Sequence, residues 1–307
     1  MLGRTLAAAA GLTLTAALTT PATAAQAAPS ATVPCAVEAA SATTAGDHFR
    51  AYIEATKPIK RSDLRPARGT LNLPVRYYSD WWLNPDADWN TRGLGGYLVA
   101  GDVLYDFRYW VEGSAEVPKD SRLVRIGGGW TPYRALVTSQ PVGADPEQYE
   151  RQYALHSDGT LHRWLVRYVN DKPVWTRNGI FSGYGAVKTM ALFSRTATYD
   201  TLLVTTRGGA LYTVRIPHSQ PTTPIVKKVR IRTWQGFETL IASRCGRTGS
   251  LLLGIDKDTG SGYLYAVGHA NGAATVIQSL GKVPGTFPNP FDFRVMNLAV
   301  DEPVFGE

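Results

Sequence analysis

A leucine followed by a large polar-tipped ring recurs along this chain at nearly equal steps, and no other feature limits the fold so sharply. It stands as Leu104-Tyr105, Leu161-His162, Leu211-Tyr212 and Leu264-Tyr265, at intervals of 57, 50 and 53 residues. Each copy opens a run that alternates apolar and polar residues, the period of a half-buried strand. Three copies follow turn-forming triplets, Ser157-Asp158-Gly159, Arg207-Gly208-Gly209 and Asp258-Thr259-Gly260, whose residues tolerate positive φ. A period of this size marks a supersecondary unit that cannot bury its apolar faces alone.

One unit parses completely into GFETLIASRCG, GSLLLGIDK, GYLYAVGHA and AATVIQSLGKV, four strands joined by short turns. Four antiparallel strands in about fifty residues make one blade of a β-propeller, in which neighbouring blades cover each other's faces. Copies begin near Gly96, Leu136, Ala191 and Ile241, and the C-terminal stretch FPNPFDFRVMNLAVDEPVF reads as one further inner strand with no room for three more. The expectation is an all-β chain forming a single propeller, closed by pairing of N- and C-terminal strands. Leu71–Asn84 and the segment GGYLVAG are the candidate partners for that last strand. It has five blades if Leu64–Asn90 forms a divergent one, and four if FRVMNLAV completes the blade holding Leu104. Five is preferred.

The N-terminus carries Arg4, an apolar and Thr-rich run from Thr5 to Leu18, Pro21 and the small residues Ala22 to Ala27, the order of a secretory signal peptide cut after Ala24 or Ala27. The run is too short to span a bilayer. A secreted, extracellular chain without membrane insertion is expected. Residues 28–63 read as a flexible arm holding a short helix, capped by Asp47 with Phe49, Tyr52 and Ile53 on one face, and 64–307 as the propeller. The segment KRSDLRPARG reads as a basic linker. Cys35 and Cys245 in an exported chain predict one disulfide closing a loop of 210 residues, which ties the arm to the body.

The formal charge of +7 suits polyanionic surfaces such as cell-wall polymers, yet Lys and Arg are scattered, so no nucleic-acid site is expected. The local cluster Lys227, Lys228, Arg230 and Arg232 mostly alternates with Val and Ile, as on the solvent face of an outer strand.

A glycine pair and Trp leading an inner strand, complete in Gly128-Gly129-Trp130-Thr131-Pro132-Tyr133, resembles the tachylectin-type β-propeller lectins, together with the period and the Gly-x-Leu-Tyr third strand over residues 96–290. The phrase is degraded elsewhere: Gly183-Tyr184-Gly185 lacks the Trp, and Trp234-Gln235-Gly236-Phe237 lacks the glycine pair. The resemblance implies a ring of about five blades that holds N-acetylated sugars between neighbours. Trp130, Tyr184 and Trp234 stand at corresponding places and are the candidate ligand-binding residues, each lying under a sugar ring or packing one blade on the next. Tyr133, Phe237, Tyr105, Tyr212 and Tyr265 are assigned to packing.

Catalytic and metal motifs are sparse. Asp-Thr-Gly occurs once, at Asp258, whereas an aspartic-protease centre needs two. Asp256 and Asp258 begin a calcium-loop pattern, but Gly260 falls where a third oxygen ligand is needed, so a hairpin turn is expected. The histidines His48, His156, His162, His218 and His269 lack metal-ligand spacing. No cofactor is expected. Asp200, Glu238, Asp292 and Asp301 are the carboxylates from which a glycosidase pair would be drawn. The function expected is a non-catalytic, lectin-like protein whose partners are glycans. A protein-interaction subunit of an extracellular assembly and a glycan-processing enzyme are the alternatives.

Overall fold

Burial falls off in the same order through successive strands of the computed structural model, which describes residues 34–141, 149–170, 172–246 and 248–297. In β12 (Val187–Arg195) and β13 (Tyr199–Thr206) nearly every residue is buried, β14 (Leu211–Pro217) alternates, and β15 (Ile225–Arg230) is mostly exposed. β16 (Thr239–Cys245), β17 (Gly249–Asp256), β18 (Ser261–Val267) and β19 (Ile277–Lys282) repeat the trend. A strand buried on both faces reads as a continuous apolar run, which is why Leu251-Leu252-Leu253 and Leu202-Leu203-Val204 break the alternation. The innermost strands are therefore covered from two sides.

The chain is all-β, built of four-stranded antiparallel sheets consistent with a β-propeller. Two sheets run β12 to β15 and β16 to β19; a third orders β8 (Tyr133–Ser139), β9 (Glu150–His156), β10 (Leu161–Val169) and β11 (Lys172–Phe181). The eight-stranded sheet is two such runs joined edge to edge. One is β4 (Val75–Pro85), β5 (Thr91–Ala100), β6 (Val103–Glu112) and β7 (Asp120–Gly127). The other is β20 (Phe291–Asn297) followed by β1 (Ala36–Ala42), β2 (His48–Glu54) and β3 (Lys60–Ala67). These runs are called one (β4–β7), two (β8–β11), three (β12–β15), four (β16–β19) and five (β20, β1–β3). The four strands parsed from the sequence correspond to run four, and each recurring Leu-Tyr or Leu-His pair lies in the third strand of its run.

The expected helix and basic linker are strands. β2 pairs with β1 through Ala36↔Glu54 to Ala42↔His48, and with β3 through His48↔Ala67 to Glu54↔Lys60. Ala51 and Ile53 are buried while Tyr52 between them is exposed, a period of two where the local pattern suggested a helical face. Small residues in β1 let two layers approach, and that tertiary pairing overrides a short local signal. The strands thus begin at Ala36, inside the segment expected to be an arm. β20 pairs antiparallel with β1 (Ala39↔Arg294 to Ala42↔Phe291) and parallel with β4 (Val295↔Trp81 to Asn297↔Leu83). Of the two segments expected to receive it, Leu71–Asn84 does so briefly; β1 is the main partner. Cys35 and Cys245 form the disulfide, joining runs four and five. The expected signal peptide and Asp301 lie outside the described residues.

Each neighbouring pair of runs shares its own apolar core. Trp81, Phe107 and Phe293 centre the one between runs five and one; Tyr97, Trp130 and Trp164 between one and two; Tyr153, Tyr184 and Leu202 between two and three; Phe193, Trp234 and Leu252 between three and four; Ile53, Leu253 and Phe287 between four and five. In the first of these, His48 is boxed by Tyr78, Trp81, Phe107, Tyr109 and Phe293. Burial pushes its pKa down to about 3, against the opposing pull of Asp47, so the ring is neutral at physiological pH.

One backbone contact recurs across every one of these cores. The residue just ahead of an inner strand donates its N–H to the carbonyl of the turn between the second and third strands of the preceding run. The pairs are Trp130 to Asp102 (3.1 Å), Tyr184 to Gly159 (2.8 Å), Trp234 to Gly209 (3.1 Å), Phe287 to Gly260 (2.9 Å) and Thr70 to Gly46 (3.1 Å). Such a bond contributes about 1 kcal/mol net, whereas burying the ring attached to it contributes about 2–3 kcal/mol. The ring supplies the energy and the bond fixes the register.

Gly46 has φ +84°, and a Cβ there would stand 1.5 Å from the Leu71 carbonyl oxygen. Gly46→Ala therefore has to push runs five and one apart. The expected cost is about 3 kcal/mol or more, read as a lowered denaturant midpoint, while Gly69→Ala, with positive φ but open space, costs about 1 kcal/mol. Equal effects at the two positions would reject the contact as a constraint.

Candidate functional site

The loop from Gly127 to Tyr133 carries the complete glycine-and-Trp phrase, and two charged side chains of run one hold it. Asp102 accepts from the Gly129 N–H (2.8 Å), the Thr131 N–H (2.7 Å) and the Thr131 hydroxyl (2.6 Å). These hydrogen bonds, led by the Thr131 hydroxyl, pull the Asp102 carboxyl down to about 2. Arg76 donates to the carbonyls of Gly101, Trp130, Thr131 and Tyr133. A loop with so many orphan carbonyls needs such a donor. Sequence reasoning missed both residues, because neither belongs to the repeated phrase.

Between runs one and two this loop borders a crevice of about 180 Å³, lined by Ile126, Gly128, Trp130, Trp164, Trp175 and Arg177 among others. Its wall is aromatic. Trp130 lies 5.5 Å from Trp164 at 34°, and Trp175 meets both edge-on at 5.9 Å. The exposed Arg177 guanidinium stands 6.0 Å from the Trp164 ring. Trp175 is half-buried, and its indole N–H is buried without a hydrogen-bond partner among the described residues. A buried unpaired donor costs about 1–3 kcal/mol, so it needs an acceptor.

Below the aromatic wall the polar groups are satisfied. Tyr133 Oη is 2.7 Å from His162 Nδ1, and the Thr160 hydroxyl is 2.9 Å from His162 Nε2. His162 stacks on His156 at 5.4 Å, with its pKa lowered first by burial and then by Arg177. The histidine that replaces tyrosine in this copy thus lies behind Tyr133 and Trp164, two residues that line the crevice. Trp164 and Trp175 were also missed. A signal was present for Trp164: the position three residues beyond the recurring leucine holds Phe107, Val214 and Val267 in other runs and Trp only here.

Trp130, Tyr184 and Trp234 are all buried, at 6%, 6% and 5% exposure, and sit in three successive cores. They occupy equivalent positions, as their spacing predicts, and so does Phe287, which the sequence reading passed over. Beside Tyr184 the backbones close together, since a Cβ on Gly159 would be 2.9 Å from the Gly185 Cα. Beside Phe287 they do not. A cavity of about 460 Å³ lies there against run five and the loop that enters β20, lined by Phe49, Arg61, Asn289 and Asp292 among others. Arg61 covers the Phe287 ring at 4.7 Å and donates to the Thr286 carbonyl. Asp292 pairs with Lys257, and burial, offset by that lysine, pushes its carboxyl up to about 6.

The remaining carboxylates have structural partners. Asp200 accepts from Ser139 (2.7 Å) and Tyr153 (2.6 Å) and faces His218 at 3.2 Å; Glu238 pairs with Lys188 and accepts from the Lys257 N–H. Asp256 accepts from the Thr259 N–H within the β17–β18 turn, the hairpin expected at this place. Among the described residues no group of three or more His, Cys, Asp or Glu side chains is placed to hold a metal ion. None of their helices is long and apolar enough to cross a membrane.

Neither a family model nor a curated protein matches the chain. Among solved structures, the SapL1 lectin in complex with alpha methyl fucoside is 13% identical with a TM-score of 0.41, covering 86% of this chain and 82% of that one. A hypothetical selenium-binding protein from Sulfolobus tokodaii is 9% identical with a TM-score of 0.38 and coverages of 80% and 79%. The WD40 domain of SCAP from fission yeast is 8% identical with a TM-score of 0.37 and coverages of 88% and 73%.

Asp102→Asn keeps the shape of the loop anchor but weakens its acceptors. Because the folded carboxyl titrates below its unfolded value of about 3.9, its stabilisation is full above that pH and fades as pH falls toward about 2. The variant should therefore show red-shifted, more quenchable tryptophan emission at pH 7 and little difference from wild type at pH 2. Unchanged emission at pH 7 would show that Asp102 does not order the loop.

Proposed function

We propose that this protein is a secreted, non-catalytic, glycan-binding β-propeller of five blades, runs one to five, closed where β20 pairs with β1. Five apolar cores, each between cyclic neighbours, and five copies of the turn-to-strand hydrogen bond support that count. The Cys35–Cys245 disulfide supports an oxidising compartment and hence export.

The glycan site is the crevice between runs one and two. The observation that carries this reading is the half-buried Trp175 ring set against Trp130 and Trp164 beside the exposed Arg177 guanidinium. A pyranose has apolar C–H faces that lie against indole rings and hydroxyls that accept from an N–H or a guanidinium. The crevice offers both at once. Trp130 shapes the wall and does not itself stack broadly, since it is buried. At 180 Å³ the space accepts one sugar ring rather than an extended chain. The larger cavity beside Phe287, the ring equivalent to Trp130, is the second candidate. Two weak sites on one rigid body act together on a multivalent surface. The tachylectin-type resemblance suggests N-acetylated sugars as the first class to test.

A glycan array followed by titration calorimetry tests this. Trp175→Ala removes the one indole of the wall that is only half-buried, so it should weaken binding about tenfold or more, whereas Trp175→Phe, which keeps a ring, should weaken it less. Arg177→Ala should weaken it further. Absence of any bound glycan, or binding indifferent to Trp175→Ala and Arg177→Ala, would reject the reading.

A further inference from the structure

Away from the turn-to-strand hydrogen bonds, at the other end of β4, runs five and one frame a basic groove. β4 runs from Val75 to Pro85, and the β4–β5 turn beyond it carries Trp89. The groove measures about 520 Å³; Leu83 and Val295 line it together with Arg50, Arg65, Arg92 and Trp89.

Two features there are not explained by folding. First, Trp89 is 50% exposed and has φ +57°, the left-handed region that a bulky side chain avoids. Holding it there costs about 1–3 kcal/mol, and the ring's exposure leaves little burial to offset that cost. Second, three guanidiniums converge with a single carboxylate, Glu38, among the lining residues. Glu38 pairs with Arg50 at 2.7 Å, while Arg65 and Arg92 donate to the carbonyls of Ser114 and Gly113. Backbone carbonyls do not neutralise a cation. Burial first, then Arg50 and Arg65, lower the pKa of Arg92, so the three charges feel one another.

We propose that this groove is a separate binding site for an acidic saccharide, with a sugar ring on Trp89 and its carboxylate or sulfate between Arg65 and Arg92. Arginine presents a planar fork that matches such an anion. The exposed indole selects a ring-bearing ligand over a bare anion. The volume suits one or two sugar residues. The site is independent of the crevice at Trp175, which lies between a different pair of runs.

Binding of the full chain to hexagalacturonate, to its methyl ester and to a heparin hexasaccharide, at low and high salt, tests the proposal. Either acidic oligomer should bind and the neutral ester should not, with affinity falling as salt screens the charges; which of the two binds tells carboxylate from sulfate. Trp89→Gly relieves the backbone strain, so it should leave the melting temperature unchanged or raised while weakening acidic-oligomer binding about tenfold or more. Arg65→Ala should weaken the same binding, and Trp175→Phe should not. Equal binding of the methyl ester, no binding of either acidic oligomer, single-stranded DNA bound more tightly than both, or indifference to Trp89→Gly and Arg65→Ala would each overturn it.

Discussion

The fold depends on one hydrogen bond made five times, in which the entry to each inner strand donates to a turn of the preceding run. A four-stranded sheet has two apolar faces and cannot be stable alone. Stacking satisfies both, but flat apolar faces slide unless something sets their register. The repeated bond does so at the end of each sheet. The ring beside it, from Trp130, Tyr184, Trp234 or Phe287, is buried in the core it helps to close. This explains why an aromatic precedes four of the five inner strands. The same side chains that look like a row of ligand platforms serve first as packing, so a site arises only where neighbouring walls leave a gap.

The seam between runs five and one differs from the others because two inner strands pair directly across it. β20 and β4 are the inner strands of adjacent runs and pair in parallel for three residues, merging two sheets into one. Thr70 takes the place of the aromatic, and the lost ring volume is made up by Tyr78, Trp81, Phe107, Tyr109 and Phe293 around a neutral His48. The Cys35–Cys245 disulfide lies one seam away and fixes the entry to β1. Covalent and aromatic reinforcement thus flanks run five on both sides, the run assembled from the first three described strands and the last. The basic groove opens on this seam too, where the strands of run five diverge from the β4–β5 hairpin.

Strand periodicity was legible wherever a unit repeats. Run four could be parsed strand by strand because its turns carry glycines and its inner strands continuous leucine runs. The segment from Ala36 to Ala67 was not legible, since Ala-rich β1 has no strand propensity of its own and gains its order from β2 and β20. A tertiary partner 250 residues away along the chain leaves no local trace. The site was half legible. Spacing picked out Trp130, Tyr184 and Trp234 as equivalent, but equivalence says nothing about which interface stays open. Trp164 was marked only as a departure from the repeat, and Trp175 and Arg177 lie in an outer strand that none of the repeated phrases reaches. Phe287 was missed because phenylalanine does not match the Trp or Tyr of the earlier phrases.

Residue-resolved amide hydrogen exchange measures the central constraint most directly. The amides of Thr70, Trp130, Tyr184, Trp234 and Phe287 should exchange together, at the free energy at which the inner-strand amides of β8, β12 and β16 are released, because each contact closes a core that holds the inner strands beside it. Fast, independent exchange at two or more of the five, with the inner strands still protected, would contradict the account: the sheets would then be held by their strands alone, and the turn contacts would be incidental.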